Sequence, residues 1–247
     1  MADDAGVPRE TPPPPSTVEG VFGSRAALAL RYAELLATEG VLRGLIGPRE
    51  APRLWERHLL NCAVVTELLP EGADVCDLGT GAGLPGVVLA IRRPDLRVTL
   101  VEPLLRRTTF LEEVVADLDL AHVTVVRGRA EDLHGVSAFS AVTSRALAPL
   151  PRLLDWSMPL VEAGGALLAM KGLSVGDELE GAREGLRRHG AGVVEILTVG
   201  TDVINPPTTV LRVESTRSPT LSLEVTPTVS SRGRPASPRG SRRRRRK

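Results

Sequence analysis

The sequence has few cysteines, no long apolar run and no secretion signal. Cys62 and Cys76 are the only cysteines, and both lie in apolar stretches. This excludes a disulfide framework and predicts two reduced core thiols in a cytoplasmic protein. No apolar run approaches the ~20 residues of a membrane span. Residues 1–17 have neither the basic nor the apolar region of a signal peptide, so we expect no contact with a membrane.

Lysine is almost missing, and the positive charge is unevenly distributed. Of the 31 basic residues only Lys171 and Lys247 are lysines, which suggests a GC-rich coding background. Residues 215–247 contain ten basic residues and one acid, a charge of +9, so the rest of the chain carries −8 within the total of +1. An acidic body therefore precedes a strongly basic tail.

Length and composition predict one domain between two tails. With 247 residues and 42% apolar side chains, the chain can bury a core. We expect disorder in the proline-rich residues 1–20 and in the basic residues 215–247. Residues 21–214 form the predicted domain, in which a helical extension (21–70) precedes a core (71–214). A monomer is the default expectation.

Apolar periodicity predicts an α/β fold. Two helical stretches, 25–40 and 48–70, come first, and short β-branched runs then alternate with helical patterns. The predicted strands cover residues 74–79, 97–102, 122–128, 139–146, 164–172, 192–200 and 208–215. Such alternation is typical of a doubly wound, mostly parallel sheet with its ligand at the carboxyl ends of the strands. Only a short turn joins the last two strands, which predicts a terminal antiparallel hairpin at the sheet edge.

A glycine-rich turn follows the first predicted strand and fits two kinds of cofactor. From Gly81 it reads GAGLPG, as in dinucleotide-binding turns, and from Asp77 it reads DLGTGAG, as in S-adenosylmethionine (SAM) turns. The first glycine behind the strand is Gly79, and the spacing from there is not GxGxxG, which favours SAM. Asp77 could organise the methionyl ammonium. Glu102 at the end of the second strand suits the ribose of either cofactor. A glycine turn without a ligand remains an alternative.

Five segments, in their order along the chain, resemble the small-subunit (16S) ribosomal RNA guanine-N7 methyltransferases. They are DLGTGAGLPGVVLAI, TLVEPLLRRTTFLEEV, VVRGRAED, VTSRALAPL and GGALLAMKG. That family is also called methyltransferase G or glucose-inhibited division protein B. The resemblance covers residues 21–214 and implies a Rossmann-like class I SAM-dependent methyltransferase. Two departures are Glu102, where Asp is more usual, and Cys62, where a polar residue is expected. The resemblance implies SAM contacts at Gly79, Leu84, Ala130, Glu131 and Arg145, in addition to Asp77, Gly81 and Glu102. The guanidinium of Arg145 suits either the SAM carboxylate or a phosphate.

The implied chemistry needs no general base or metal. Guanine N7 has an in-plane lone pair and no proton to lose, so alignment of the reactants is the main requirement. We therefore assign no catalytic residue. His58 and His134 are the candidate bases, and a structural or solvated role is favoured for both. The sequence NPPT at 205–208 resembles the NPPY of amine-directed methyltransferases. It lies between the last two strands and lacks the aromatic residue, so we interpret it as a turn.

Basic residues suggest where 16S ribosomal RNA, free or within the small subunit or its precursor, would bind. Arg49, Arg53 and Arg57 are spaced for one helix face, with His58 adjacent, and Lys171 closes the fifth strand. A solvated face is the alternative for the arginines, and a solvated extension is the alternative to an RNA tether for the tail. Two other functions remain open. They are methylation of another RNA base or a small molecule, and non-catalytic regulation through SAM or nucleotide binding.

Overall fold

A central sheet positions every predicted cofactor residue. The computed structural model describes residues 13–217 and 219, and within them seven strands pair in the order β3-β2-β1-β4-β5-β7-β6. The strands are β1 (Asp74–Leu78), β2 (Arg97–Glu102), β3 (Val123–Arg127), β4 (Phe139–Arg145), β5 (Val161–Lys171), β6 (Ala191–Val199) and β7 (Thr208–Ser215). The pairs among β1 to β5 are parallel, whereas β7 is antiparallel to both β5 and β6.

The predicted sheet is confirmed, with two refinements. The terminal hairpin exists, but β7 lies between β5 and β6, so β6 alone forms that edge. Strand β5 begins at Val161, three residues before the predicted start at residue 164. Because pairing with Phe139 of β4 begins at Val161, the tertiary contact decides the conformation there.

Helices cover both faces of the sheet. The helices that follow the first strand are α4 (Gly86–Arg92), α5 (Leu105–Asp117), α6 (Leu150–Ser157) and α7 (Val175–Arg188). One apolar core joins α4, α5 and the N-terminal extension to one face, and a second core joins α6 and α7 to the other. Side chains in register on parallel strands share a face, so Asp77 and Thr143 lie on the extension side, and Leu78 lies on the opposite side.

The N-terminal extension starts earlier than predicted. It contains α1 (Thr17–Phe22), a 3-10 turn (Gly23–Arg25), α2 (Ala26–Leu35) and a π-helical turn (Leu36–Gly40). Helix α1 therefore begins inside the segment 1–20 for which disorder was expected, with Val18 and Phe22 buried. Residues 1–12 of that prediction lie outside the described residues.

The second helical stretch changes its hydrogen-bonding pattern along its length. It contains a 3-10 turn (Ala51–Arg53), a π-helical turn (Trp55–Leu59), α3 (Leu60–Ala63) and a 3-10 helix (Val64–Leu68). Arg49 precedes it in a turn, so the predicted stripe of three arginines on one helix is wrong for Arg49. Between residues 13 and 219, no described helix combines the length and hydrophobicity needed to cross a bilayer.

Candidate functional site

Asp77 shapes the glycine turn from inside the protein. Its side chain is fully buried, and Oδ2 accepts hydrogen bonds from Thr80 Oγ1 at 2.6 Å and Gly86 N at 2.8 Å. Oδ1 accepts one from Thr143 Oγ1 of β4 at 3.1 Å. Burial raises the pKa of Asp77 to about 6 in spite of these bonds. The carboxylate expected to organise a methionyl ammonium thus also binds the two ends of the turn, at Thr80 and Gly86.

Two glycines of the turn leave no room for a side chain. Gly79 has a φ of +64°, and a Cβ there would lie 2.3 Å from Leu147 Cδ1. A Cβ on Gly86 would lie 2.8 Å from Asp77 Oδ2. The first glycine lets the backbone approach the loop after β4, and the second allows α4 to start directly against the buried carboxylate.

The extension supports the same turn from the other side. Tyr32 of α2 is fully buried, and its hydroxyl donates to the carbonyl of Ala82 at 2.7 Å. The sequence identified Tyr32 only as part of an apolar helix face. Its being the single tyrosine of the chain gave no indication of this partner.

Glu102 lies at the carboxyl end of β2, as predicted. It is 1% exposed and accepts hydrogen bonds from Gly81 N at 3.2 Å and Leu104 N at 3.1 Å. Arg107 Nη1 lies 3.2 Å from Oε2 and forms an ion pair with it. Arg107 Nε is buried without a partner among the described residues. The acidic residue therefore joins the turn after β1 to the start of α5.

A cavity of about 260 Å³ opens beside Gly79. Of the predicted cofactor residues, Gly79, Ala130 and Glu131 line it, whereas Asp77, Gly81, Leu84, Glu102 and Arg145 do not. Glu102 is flanked in sequence by two lining residues, Val101 and Pro103. Leu84 is buried in the core on the extension side. The lining residues that sequence reasoning missed include Pro103, Arg129, Leu147, Arg152 and Trp156, and the Arg152 guanidinium lies 4.6 Å from the Trp156 ring centroid. A glycine cradle, an acidic residue at the end of β2 and an aromatic wall fit an adenosine-containing cofactor.

A larger cavity of about 1450 Å³ lies between the extension, the loop after β4, the end of β5 and the β6–β7 turn. Arg53, Arg57, Arg145 and Lys171 line it, and Arg49 and His58 do not. Residues 205–207 lie between β6 and β7, as predicted, and Thr208 begins β7. All four residues form part of this wall, together with Asn61. Asn61 Nδ2 donates to Thr208 Oγ1 at 2.8 Å, which joins the extension to the hairpin.

Lys171 is held by protein groups at the end of β5. It is 10% exposed, and Nζ donates to Ala148 O at 3.1 Å and to Glu178 Oε2 of α7 at 2.7 Å. The same oxygen of Glu178 accepts from Leu150 N at 3.1 Å. Lys171 therefore lies at the predicted edge but also fixes the loop that separates the two cavities.

Arg145 and His58 are paired with each other. Arg145 Nη2 donates to His58 Nδ1 at 2.8 Å, and Nη1 donates to Arg57 O at 3.2 Å. His58 Nε2 lies 3.1 Å from Glu50 Oε2. Arg145, for which the resemblance implies a SAM contact, lines the larger cavity. His58, predicted to contact RNA, lines neither cavity and has both ring nitrogens occupied. Desolvation and the Arg145 charge lower the pKa of His58 to about 4, so the ring is neutral.

Leu147 is the partition between the cavities, because it lines both. It belongs to the loop between β4 and α6, in which Ala146 has a φ of +51°. The loop is fixed by the Lys171 contact at Ala148 and the Glu178 contact at Leu150. The partition is therefore a built feature of the fold, and no local sequence pattern indicates it.

Comparison with known proteins assigns this architecture to a family. The family model described as "GidB: rRNA small subunit methyltransferase G" matches residues 25–204. Two proteins named "Ribosomal RNA small subunit methyltransferase G" are close relatives. The one from Nocardioides sp. is 63% identical over 86% of this chain and 85% of its own. The one from Thermobifida fusca is 54% identical over 95% of this chain and 97% of its own.

Solved structures agree on the fold. An S-adenosyl-L-methionine-dependent methyltransferase structure from Methanococcus maripaludis gives a TM-score of 0.53 at 13% identity, covering 77% of this chain and 93% of its own. An O-methyltransferase family protein from Burkholderia thailandensis gives a TM-score of 0.51 at 18% identity, and the match covers 81% of this chain and 67% of its own. The predicted class I methyltransferase fold and the SAM cofactor are confirmed. The chain belongs to the rRNA small subunit methyltransferase G (GidB) family.

Proposed function

We propose that the chain transfers a methyl group from SAM to N7 of a guanosine in 16S ribosomal RNA, as part of the small subunit or its precursor. The observation that carries the proposal is the pair of cavities that share Leu147. The smaller one fits a nucleoside-type cofactor, and the larger one has cationic side chains and room for a nucleotide. Guanine N7 has to lie in line with the methyl group and its sulfur, so transfer requires the two cavities to open into each other beside Leu147.

The proposed SAM site is formed by the backbone of the glycine turn and by the acidic residue Glu102. Gly79, Ala130 and Glu131 would contact SAM directly, and Glu102, between the lining residues Val101 and Pro103, would accept its ribose hydroxyls. Asp77 contributes indirectly by fixing the turn. SAM supplies a methyl group on a positively charged sulfur, which guanine N7 accepts through its lone pair without losing a proton.

The acceptor side rests on positive charge. Arg53 is exposed and has no ion pair within the described part of the chain, so it can meet a phosphate at little cost. Arg57 and Arg145 line the same cavity, and Lys171 closes it at β5. Because His58 is neutral and both its ring nitrogens are bonded, it does not act as a base. The residues therefore hold and orient the RNA, and the reaction proceeds by alignment.

Nucleoside mass spectrometry of ribosomal RNA tests the proposal. A strain that lacks the gene should lose 7-methylguanosine from 16S ribosomal RNA, and the wild-type gene should restore it. A Gly79→Val gene should not, because the branched side chain would have to occupy a left-handed backbone position against Leu147. Calorimetry on the two purified proteins checks that only the wild-type chain binds SAM.

The same measurement separates the rival functions. Loss of a different modified nucleoside would replace guanine N7 with another acceptor. Unchanged ribosomal RNA, together with retained SAM binding, would instead favour a non-catalytic regulatory protein.

A further inference from the structure

The reaction proposed above assigns no task to Arg107, which lies in the first turn of α5. Its Nη1 donates to Glu102 Oε2 at 3.2 Å. Two backbone N–H groups donate to the same carboxylate, Gly81 N to Oε2 and Leu104 N to Oε1. Within the described part of the chain, Arg107 is therefore the only side chain that donates to Glu102.

Arg107 lies where local preferences disfavour it. The N-terminus of a helix carries a partial positive charge, so a cation in the first turn of α5 is unfavourable. That turn contains Arg106 and Arg107 and no acidic residue. The Nε of Arg107 is also buried without a partner among the described residues, which destabilises the fold. Such departures from local preference are expected where a residue serves a binding site.

The length of Glu102 explains why its carboxylate needs a side-chain partner. The resemblance predicts Asp at this position, and Glu has one more rotatable bond, so it loses more rotamer freedom when it is held in one orientation. Arg107 and Gly81 N both bind Oε2, whereas Oε1 accepts only from Leu104 N. Because each carboxylate oxygen can accept two hydrogen bonds, Oε1 keeps one position for a ligand hydroxyl.

We infer that Arg107 is a positioning residue that fixes the Glu102 carboxylate in the orientation required to accept a ribose hydroxyl of SAM. The inference rests on the proposed contact between Glu102 and the ribose, and it makes recognition of that hydroxyl depend on α5. Arg107 acts through Glu102 and contributes no contact of its own to the cofactor. Without the guanidinium, Oε2 would keep only its bond from Gly81 N, and the carboxylate could rotate away.

Calorimetry on the full chain with two ligands tests the inference. One ligand is S-adenosylhomocysteine, the product that SAM becomes after transfer, and the other is its dideoxy analogue, in which hydrogen replaces both ribose hydroxyls. The measured quantity is the ratio of the two dissociation constants. In the wild-type chain the analogue should bind about tenfold to a hundredfold more weakly, which is the effect of losing a hydrogen bond to a charged group.

Substitution of Arg107 should reduce this discrimination between the ligands. In Arg107→Met and Arg107→Gln we expect the ratio to fall below about threefold, because neither side chain has the charge and reach of the guanidinium. The two variants differ in polarity, so the measurement remains possible if one of them folds poorly. Arg107→Lys keeps a positively charged donor and should keep a ratio closer to that of the wild-type chain.

Two further variants separate positioning from a general effect on folding. Arg106→Met is the matched control, since Arg106 is exposed and lines neither cavity, and it should leave the ratio unchanged. In a Glu102→Gln background, Arg107→Met should not weaken S-adenosylhomocysteine binding further, because the carboxylate that it positions is already missing.

An equal loss of affinity for both ligands in the Arg107 variants would overturn the inference, because it would limit Arg107 to a structural role. A further loss in the Glu102→Gln background would do the same. If the wild-type chain bound both ligands equally well, the ribose contact and the inference would both be refuted. Methylation of guanine N7 would still be judged separately, by the nucleoside mass spectrometry described above.

Discussion

At the scale of single residues, a carboxylate identified from the sequence can have a structural task that the sequence does not indicate. Asp77 was recognised from its place at the end of β1, and in the structure its Oδ2 binds the glycine turn and its Oδ1 accepts from Thr143 of β4. Its burial raises its pKa, whereas Arg93 lowers the pKa of the partly exposed Asp95. These opposite environments give opposite dependences of stability on pH.

The pH dependence of folding should show the contribution of Asp77. Its folded-state pKa of about 6 lies above the usual 3.8, so between these values the folded protein binds more protons than the unfolded chain. The free energy of unfolding should therefore fall as pH rises through this range. Urea unfolding from about pH 4 to pH 7 should show the advantage of the wild-type chain over Asp77→Asn shrinking by up to roughly 3 kcal/mol.

Asp95→Asn is the control of opposite sign. Because Arg93 holds the pKa of Asp95 below its usual range, ionised Asp95 stabilises the fold, and that contribution is lost as pH falls. The advantage of the wild-type chain over Asp95→Asn should therefore grow with rising pH. A pH-independent difference between wild type and Asp77→Asn would show that Asp77 is ionised with an ordinary pKa.

At the scale of elements, the N-terminal extension is part of the cofactor site. Helix α2 reaches the glycine turn through Tyr32, and the segment around His58 reaches the loop after β4. Apolar periodicity identified both helical stretches, but it cannot indicate which loop a buried hydroxyl or imidazole contacts. Those contacts join residues 50 or more positions apart in sequence.

Removing one hydroxyl should weaken this connection. In Tyr32→Phe the Ala82 carbonyl loses its buried donor, and we expect a loss of about 1 to 2 kcal/mol in the free energy of unfolding. SAM affinity should also fall, because the turn is less well fixed. Thr38→Ala is the control, since the exposed Thr38 hydroxyl bonds only to Glu34 O of its own helix. Urea unfolding and calorimetry measure the two effects, and unchanged SAM affinity would limit the role of Tyr32 to stability.

At the scale of the whole molecule, the folded body ends further along the chain than the predicted start of the basic tail. The predicted tail began at residue 215, but Ser215 is the last residue of β7. Thr216 N donates to Gly190 O at 2.9 Å, and Arg217 Nη1 donates to Arg188 O at 2.8 Å. The body therefore extends at least to Arg217, and the rest of the predicted tail, apart from Pro219, lies outside the described residues. Residues 220–247 carry nine basic residues and one acid.

Truncation after Pro219 tests whether this charge tethers the enzyme to RNA. Each single-strand phosphate contact contributes ~0.7 to the slope of log affinity against log salt. A salt titration with a 16S ribosomal RNA fragment should show a slope smaller by several contacts in the truncated protein. The methylated base should stay the same, because phosphate contacts position the RNA and the cavity selects the base. Identical slopes would assign the tail no role in RNA binding.

The sequence by itself determined the order of strands and helices, the glycine turn and the two acids at the carboxyl ends of β1 and β2. These features depend on local conformation and on patterns of period two or 3.6, which neighbouring residues specify. The tertiary structure alone decided that β7 lies between β5 and β6, that Leu147 divides two cavities, and that Arg145 pairs with His58. Each of these depends on which distant segments meet at the carboxyl edge of the sheet, and packing decides that, not local propensity.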